Sequence, residues 1–420
     1  MPSSKLRGPI EHDTRTNTAR SPAPVPDCDP VLRLMWVKGN TYRAAVADAL
    51  GLSKSVVSET VQSLIRAGLV AEVGLGESSG GRRPVILNFQ YGARCVLGVD
   101  VGATHVAVAL TDLRGRVMEW RELSHPVRTD PVGTRRLILR LCDDCLAEWR
   151  GGFERLIGIG IAVPSPVDPA HPDWLSEAVI PDWQGRSDLE RLHRRYGVPV
   201  FIDNDANLGA LAEKSWGGGV DADNFLFVKL GRGIGAGVVI GGEVYRGANG
   251  VAGEIGHVPI DPNGQRCTCG LRGCLGTVVG SAALALRVRA LLGEYADSAL
   301  ADQALSALAI AQAAAKGDAL GIRVVHETAE VLAAGLSGYV HLMNPEMIII
   351  GGGLARAGEA LLGPMREAVR RSALVRSVSP VTCIVSQLGR QAVAVGAATL
   401  GLLKWLSTVS RTHNPTMTKP

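Results

Sequence analysis

The chain has 420 residues, 46% of them apolar and 20% charged, with a net charge of +4 at pH 7. That length is more than one core needs, and the charge is too small for a polycation that coats nucleic acid along its whole length. Aromatic residues make up only 4% against 51 glycines, which argues against a stacking-rich RNA binder and for tight backbone turns. Lys and Arg outnumber Asp and Glu by 11 to 8 in residues 1–90 and by 33 to 32 in the remainder, so the small excess points to an anionic partner at the N-terminal end. The longest apolar run, 392–403, is shorter than the roughly 20 residues of a spanning helix and is followed by Lys404. The first residues show no apolar stretch of a secretory type, so a cytoplasmic protein without a membrane partner is expected.

Residues 1–27 are polar, with Pro22, Pro24 and Pro26, and read as a disordered leader. Residues 28–90 read as a helical unit ending in a hairpin. Leu32, Leu34, Met35 and Val37 mark a first apolar segment. Thr41 is placed to cap a helix that puts Ala44, Ala45, Val46, Ala49 and Leu50 on one face, and Gly51 ends it. Ser53 caps the next helix, 54–68, where Val57, Val61, Leu64 and Ile65 recur at helical spacing and face inward. Lys54, Ser55, Ser58, Glu59 and Gln62 then face out. Two short strands follow, flanking a Gly/Ser-rich tip with Arg82 and Arg83 at its base. This is the pattern of a winged helix-turn-helix: Lys54, Ser55, Ser58 and Gln62 suit a major groove, and Arg82 and Arg83 suit phosphate or a narrow minor groove. A helical protein-interaction domain with a solvated loop is the alternative.

From residue 94 to 405 Val/Ile-rich strands, glycine turns and Ala/Leu-rich helices alternate, the pattern of an α/β fold. A strand–turn–strand unit at 95–117 turns through Asp100-Val101-Gly102-Ala103-Thr104, a candidate phosphate loop in which Asp100 would hold a metal-bound water. A second such unit at 229–247 turns through Gly231-Arg232-Gly233. The echo between these two units means either two related lobes or coincidence. The strand 201–204 ends in Asn204-Asp205-Ala206-Asn207 before a helix. Asp205 is either a general base that takes a proton from a substrate hydroxyl or, like Asn204, a helix cap. Residues 347–362 read as a buried strand, a glycine turn with Gly352, and a helix start of the kind that favours a nucleotide. His257, Cys267, Cys269 and Cys274 supply one imidazole and three thiolates within 257–274, a donor set for a structural zinc ion. Cys142 and Cys145 have no second pair to match them, and lone histidines such as His193 and His326 read as surface or structural. Residues 406–420 read as a flexible tail.

These motifs together resemble the ROK family (repressor, open reading frame, kinase) over about 94–405. The Glu254-Ile255-Gly256-His257 segment ahead of the cysteines is the most specific part, and the N-terminal unit resembles the family's transcriptional-regulator branch. The resemblance implies an α/β chain with an N-terminal winged helix-turn-helix and a two-lobed actin/hexokinase-like body. It implies a homodimer or dimer of dimers, a double-stranded DNA operator, and a sugar or sugar-derivative effector held by Asn204, Asp205, Glu254 and His257. Asp205 matches the kinase base. Nucleotide-loop positions would be Asp100, Gly102, Thr104, Gly231, Gly233 and Gly352. Zn2+ would be structural, and ATP with Mg2+ would be a cofactor only of a retained kinase activity. The family's loops usually read Asp-x-Gly-Gly-Thr-Lys and Gly-Thr-Gly, whereas Ala103, His105 and Arg232 stand here. Gly276 replaces an acidic sugar contact, and Pro164-Ser165-Pro166 replaces Pro-Gly-Pro. The expectation is a DNA-binding regulator, a repressor, controlled by a sugar. The alternative is an active ATP-dependent sugar kinase with a DNA-binding appendage.

Overall fold

In the structure, a computed structural model, Asp29 opens the described chain by accepting the Val31 and Leu32 N–H groups at 2.9 and 3.1 Å, which starts α1 (Pro30–Lys38). The structure describes residues 28–76, 83–149, 151–177, 179–187, 189–372 and 381–413. The expected leader 1–27, the glycine- and serine-rich tip with Arg82, and residues 414–420 lie outside the described residues. β1 (Asn40–Thr41), α2 (Arg43–Leu50), α3 (Lys54–Arg66), β2 (Val70–Leu75) and β3 (Val85–Phe89) complete the N-terminal unit, whose antiparallel sheet runs β1-β3-β2. Gly51 closes α2 in the left-handed region at φ +64°, and Ser53 Oγ accepts the Val56 N–H to start α3.

Val57, Val61 and Leu64 are buried and Ile65 is half-buried, as the spacing predicts. Thr41 is not a cap; it is paired with Leu87 in β1, and Tyr42 precedes α2. In α2 the buried residues are Val46 and Ala47, while Ala44 and Ala49 are exposed. Four alanines in an eight-residue helix make it apolar nearly all round, so packing against α3 rather than periodicity selects the inward face.

The body contains two sheets of one design. In the first, β4 (Cys95–Val101), β5 (His105–Asp112) and β6 (Val117–Ser124) run antiparallel. After α4 (Pro131–Glu148), β7 (Leu156–Val163) joins β4 in parallel, and after α5 (Leu189–Tyr196), β8 (Val200–Asn204) joins β7. α6 (Asp205–Trp216) leads to the second sheet. There β9 (Phe225–Leu230), β10 (Ile234–Ile240) and β11 (Glu243–Tyr245) are antiparallel. α7 (Leu275–Val279), α8 (Ser281–Leu291), α9 (Ala307–Ala315) and α10 (Ala319–Met343) precede β12 (Met347–Gly351), which is parallel to β9. α11 (Glu359–Ser372) then leads to β13 (Thr382–Val385), parallel to β12. The orders β6-β5-β4-β7-β8 and β11-β10-β9-β12-β13 are the same topology, so the echo between the two strand–turn–strand units reflects two equivalent lobes.

α12 (Ala392–His413) packs against β4, β7 and α6. It approaches so closely that a Cβ on Gly160 would lie 1.7 Å from the Ala397 carbonyl oxygen, and one on Gly396 1.8 Å from that of Leu208. The expectation of a short apolar run ending at Lys404, followed by a loose tail, is corrected here. The helix continues to His413 with Leu406 buried, because its apolar face covers the lobes and then the N-terminal unit. The stretch Gly389–Val409 is long and apolar enough to cross a membrane, but 67% of its most apolar window is buried inside the protein.

One apolar core joins the N-terminal unit to the body: Leu32, Met35, Trp36, Leu87 and Phe89 share it with Val96, Leu113, Ile157, Ala398, Leu402 and Leu406. Trp36 Nε1–H donates to the Leu113 carbonyl at 2.7 Å, and its ring meets Trp216 edge-on at 6.1 Å between centroids.

Candidate functional site

The ends of the two sheets place charged groups in one cleft. Asp100, near the end of the central strand β4, is 3% exposed. His105 Nε2 lies 3.3 Å from its Oδ2, while Oδ1 has no hydrogen-bond partner. The His105 imidazole lies over the turn, where a Cβ on Gly102 would come within 2.2 Å of the ring. Thr104 is exposed, and its carbonyl accepts the His125 N–H at 3.0 Å. On the other lobe Lys229, near the end of β9, sends Nζ to Asp205 Oδ2 at 2.6 Å, with the two side chains 18% and 13% exposed. Burial alone would raise the Asp100 carboxyl, but the Lys229 charge and the His105 contact hold it below the usual range. Burial would likewise lower Lys229, but Asp205 and Asp100 keep its ammonium above the ordinary value.

Asn204 caps α6, its Oδ1 accepting from Ala206 N and Asn207 N at 2.8 and 3.2 Å, and its Nδ2 donates to the Ser165 carbonyl at 3.2 Å. The cap reading is therefore right for Asn204, while Asp205 is left to pair with Lys229. Beneath them Asp203, buried, accepts from Asn204 N, Asn207 Nδ2 and Arg246 Nε. Burial raises the Glu254 carboxyl; the neighbouring His257 opposes this and Asp205 adds to it. Glu254 Oε2 is 3.8 Å from His257 Nε2.

The opposite ring nitrogen, His257 Nδ1, is 3.3 Å from Cys267 Sγ, and Cys269 Sγ is 3.6 Å from Cys274 Sγ. All four donor atoms of His257, Cys267, Cys269 and Cys274 lie within 4.8 Å of one another, so the cluster can hold a metal ion. The loop returns on itself through Gly273, at φ +58°, where a Cβ would fall 1.7 Å from the Asp261 carbonyl oxygen.

The ROK family model matches residues 96–403. The chain belongs to the ROK family. The xylose repressor of Bacillus subtilis is 30% identical over 368 residues, covering 88% of this chain and 92% of that protein. The glucokinase of Thermotoga maritima is 33% identical over 313 residues, covering 73% of this chain and 96% of the enzyme. A crystal structure of a ROK family transcriptional regulator, described as a homologue of the E. coli MLC protein, superposes with a TM-score of 0.73 at 28% identity, covering 92% of this chain and 98% of that one. The mixed α/β, actin-like ROK fold expected from the motifs is the fold found.

Against the family pattern, the cleft brings together Asp205, Glu254 and His257, with Asn204 beside them. His105 covers Gly102. In the second turn Gly231 N–H donates to the Gly233 carbonyl at 3.1 Å, with Arg232 exposed at the tip. Gly352 has φ +85°, and a Cβ there would lie 2.3 Å from the Leu230 carbonyl oxygen, so this glycine serves strand–turn packing. The turn is followed by a short tight helical segment, Gly353–Ala357, and α11 begins only at Glu359. At Gly276 a Cβ would sit 3.1 Å from the Gly256 carbonyl oxygen, a tight fit for any side chain.

Lys229, Asp203 and Arg246 were not singled out from the sequence. Lys229 left a signal: it is the one charged residue in the otherwise apolar strand Phe225–Leu230. On the N-terminal unit Lys54, Ser55, Ser58, Gln62 and Arg83 are exposed, the first four on one face of α3. Val56 and Tyr42 add apolar surface beside them, 47% and 43% exposed.

Proposed function

We propose that this chain is a DNA-binding transcriptional regulator of the ROK family, a repressor whose operator affinity is set by a sugar or sugar derivative held between the lobes. The observation that carries this reading is where the likeness ends. The glucokinase match covers 73% of the chain, whereas the regulator matches reach 88% and 92%. The added length takes in the N-terminal unit. That unit is a winged helix-turn-helix over 28–90: α3 is the recognition helix, presenting Lys54, Ser55, Ser58 and Gln62 to the major groove, and Arg82 and Arg83 reach phosphate or minor groove from the wing. The body, 94–405, holds the effector with Asn204, Asp205, Glu254 and His257.

His257, Cys267, Cys269 and Cys274 hold structural zinc. Zinc–sulfur bonds of about 2.3 Å imply donor–donor edges of about 3.8 Å in a tetrahedron, close to the 3.6 Å between Cys269 and Cys274. The metal would fix His257 through Nδ1 and leave Nε2 facing Glu254 and the sugar. A homodimer, or a dimer of dimers, in the cytoplasm presents paired recognition helices to a pseudo-palindromic operator.

α6 supplies the link between effector and operator. It starts at Asp205 in the cleft and ends about 18 Å away at Trp216. The Trp216 indole donates to Thr399 Oγ1 of α12 at 2.7 Å, and its ring abuts Trp36 of the N-terminal unit. A ligand that prefers one position of α6 shifts the docked N-terminal unit by the difference in its affinity for the two states.

A gel-shift titration on operator fragments selected from genomic DNA, with D-xylose, D-glucose and N-acetyl-D-glucosamine, tests the reading. At least one sugar is expected to change operator affinity by tenfold or more. Failure to bind any DNA fragment with or without sugar defeats it. A coupled ADP-release assay on the same sugars is expected to be silent, because Asp205 is engaged by Lys229.

A further inference from the structure

We propose that Lys229 is a built-in counter-cation of the cleft: its ammonium holds the place beside Asp100 and Asp205 that a divalent ion would otherwise take, so the cleft receives its ligand without a metal–nucleotide complex. The proposal deepens the receptor reading above and rests on it.

Lys229 lies in a strand whose other residues are apolar, and a buried ammonium persists only if its charge is matched. It is matched twice. Asp205, at the start of α6, accepts from Nζ at 2.6 Å. Asp100, from the other lobe's central strand, feels the same charge, which helps to hold its carboxyl ionised. Asp100 keeps one buried oxygen, Oδ1, with no hydrogen-bond partner in the structure, while Oδ2 lies 3.3 Å from His105 Nε2.

Lys229 offsets one of the two negative charges of Asp100 and Asp205, and its ammonium occupies Asp205 Oδ2 at 2.6 Å, so the pair attracts Mg2+ less than two bare carboxylates would. A divalent ion entering there would meet the ammonium at close range, and the two would compete for the same oxygens. The surroundings reinforce this. Arg232 stands at the tip of the second turn. Arg128, on the segment after β6, donates to the Val179 carbonyl; burial and the charge of Arg232 both pull its basicity down.

The test uses the full-length, zinc-loaded protein and Mn2+ as a probe for Mg2+, followed by electron paramagnetic resonance. Wild type is expected to bind Mn2+ at least tenfold more weakly than Lys229→Met, in which the ammonium shared by Asp205 and Asp100 is gone. Lys229→Gln, which keeps a hydrogen-bond donor without the charge, is expected to behave like Lys229→Met and stands in for it if that variant does not fold. Lys229→Arg is expected to stay metal-free, and Lys229→Met combined with Asp100→Asn to lose the gained site. Mn2+ binding by wild type as tight as by the neutral variants overturns the proposal, as does a folded Lys229→Gln that gains none. Operator binding by wild type is scored separately: its absence sinks the regulator reading and leaves the metal result standing.

Discussion

The His257–Cys274 cluster and the Asp100–Lys229–Asp205 triad are both charged constellations in one body, yet they are assembled in opposite ways. The cluster comes from a single loop of consecutive residues, drawn together by glycine turns. The triad comes from β4, β9 and the start of α6, elements from both lobes. A constellation inside one loop keeps its shape while the lobes move; one that spans two lobes depends on how they are set. With a metal bound, the cluster would brace one wall of the cleft, whereas the Lys229–Asp205 contact would respond to how the lobes are set.

The comparison breaks first at the cluster. Cys274→Ala removes a buried donor from the metal set, and metal content by mass spectrometry is expected to fall from one zinc per chain to near zero. Loss of a structural metal belongs to the largest destabilisations a single substitution causes, about 4 kcal/mol or more, visible as a collapse of the thermal midpoint. An unchanged metal content and midpoint would remove the brace from the account.

Next comes the triad. Asp205→Ala leaves the Lys229 ammonium without its nearest partner, and such an uncompensated charge costs about 3 kcal/mol in denaturant titration. Adding Lys229→Met is expected to restore much of that loss, and the double-mutant cycle measures the coupling. Additive effects would mean that the 2.6 Å contact carries no energy of its own.

A third test concerns the joint with the N-terminal unit. Trp36→Phe strands the buried Leu113 carbonyl, and an unsatisfied buried acceptor costs about 1–3 kcal/mol. Hydrogen exchange in α1 and β3 is expected to speed up while the lobes are left unchanged. Equal protection in both variants would show that the docking does not depend on this bond.

The smallest effect is a pH slope. Burial raises the carboxyl of Glu213, against hydrogen bonds from Ser386 and Gly218. A folded-state value above the unfolded one means that its contribution is complete below the ordinary carboxylate range and is lost as pH rises through the raised value. Glu213→Gln is expected to flatten the stability profile in that window; a steeper profile would reverse the sign.

The same contrast explains what was legible in the sequence. The outward face of α3 follows from Val57, Val61 and Leu64 at helical spacing, and the metal set from four residues in one loop, because each signal is local. The paired β4–β5 and β9–β10 units were legible as hairpins, and only their strand orders reveal two equivalent lobes. Lys229, Arg246 and Trp36 acquire meaning from partners far away in the chain: Asp205 and Asp100, Asp203, and the Leu113 carbonyl. No periodicity carries that information. α2 failed locally, because alanine does not distinguish an inner from an outer face. α12 appeared short because Lys404 interrupts its apolar run, while the helix simply turns that residue toward the surface and continues to His413.

The claim on which the rest depends is that the cleft and the N-terminal unit share one equilibrium. It is tested most directly by titrating the sugar that shifts operator binding into the protein calorimetrically, with and without saturating operator DNA. Linkage requires the sugar's Kd to change by the same factor as the operator's, tenfold or more. A sugar Kd that is identical with and without operator would contradict the account.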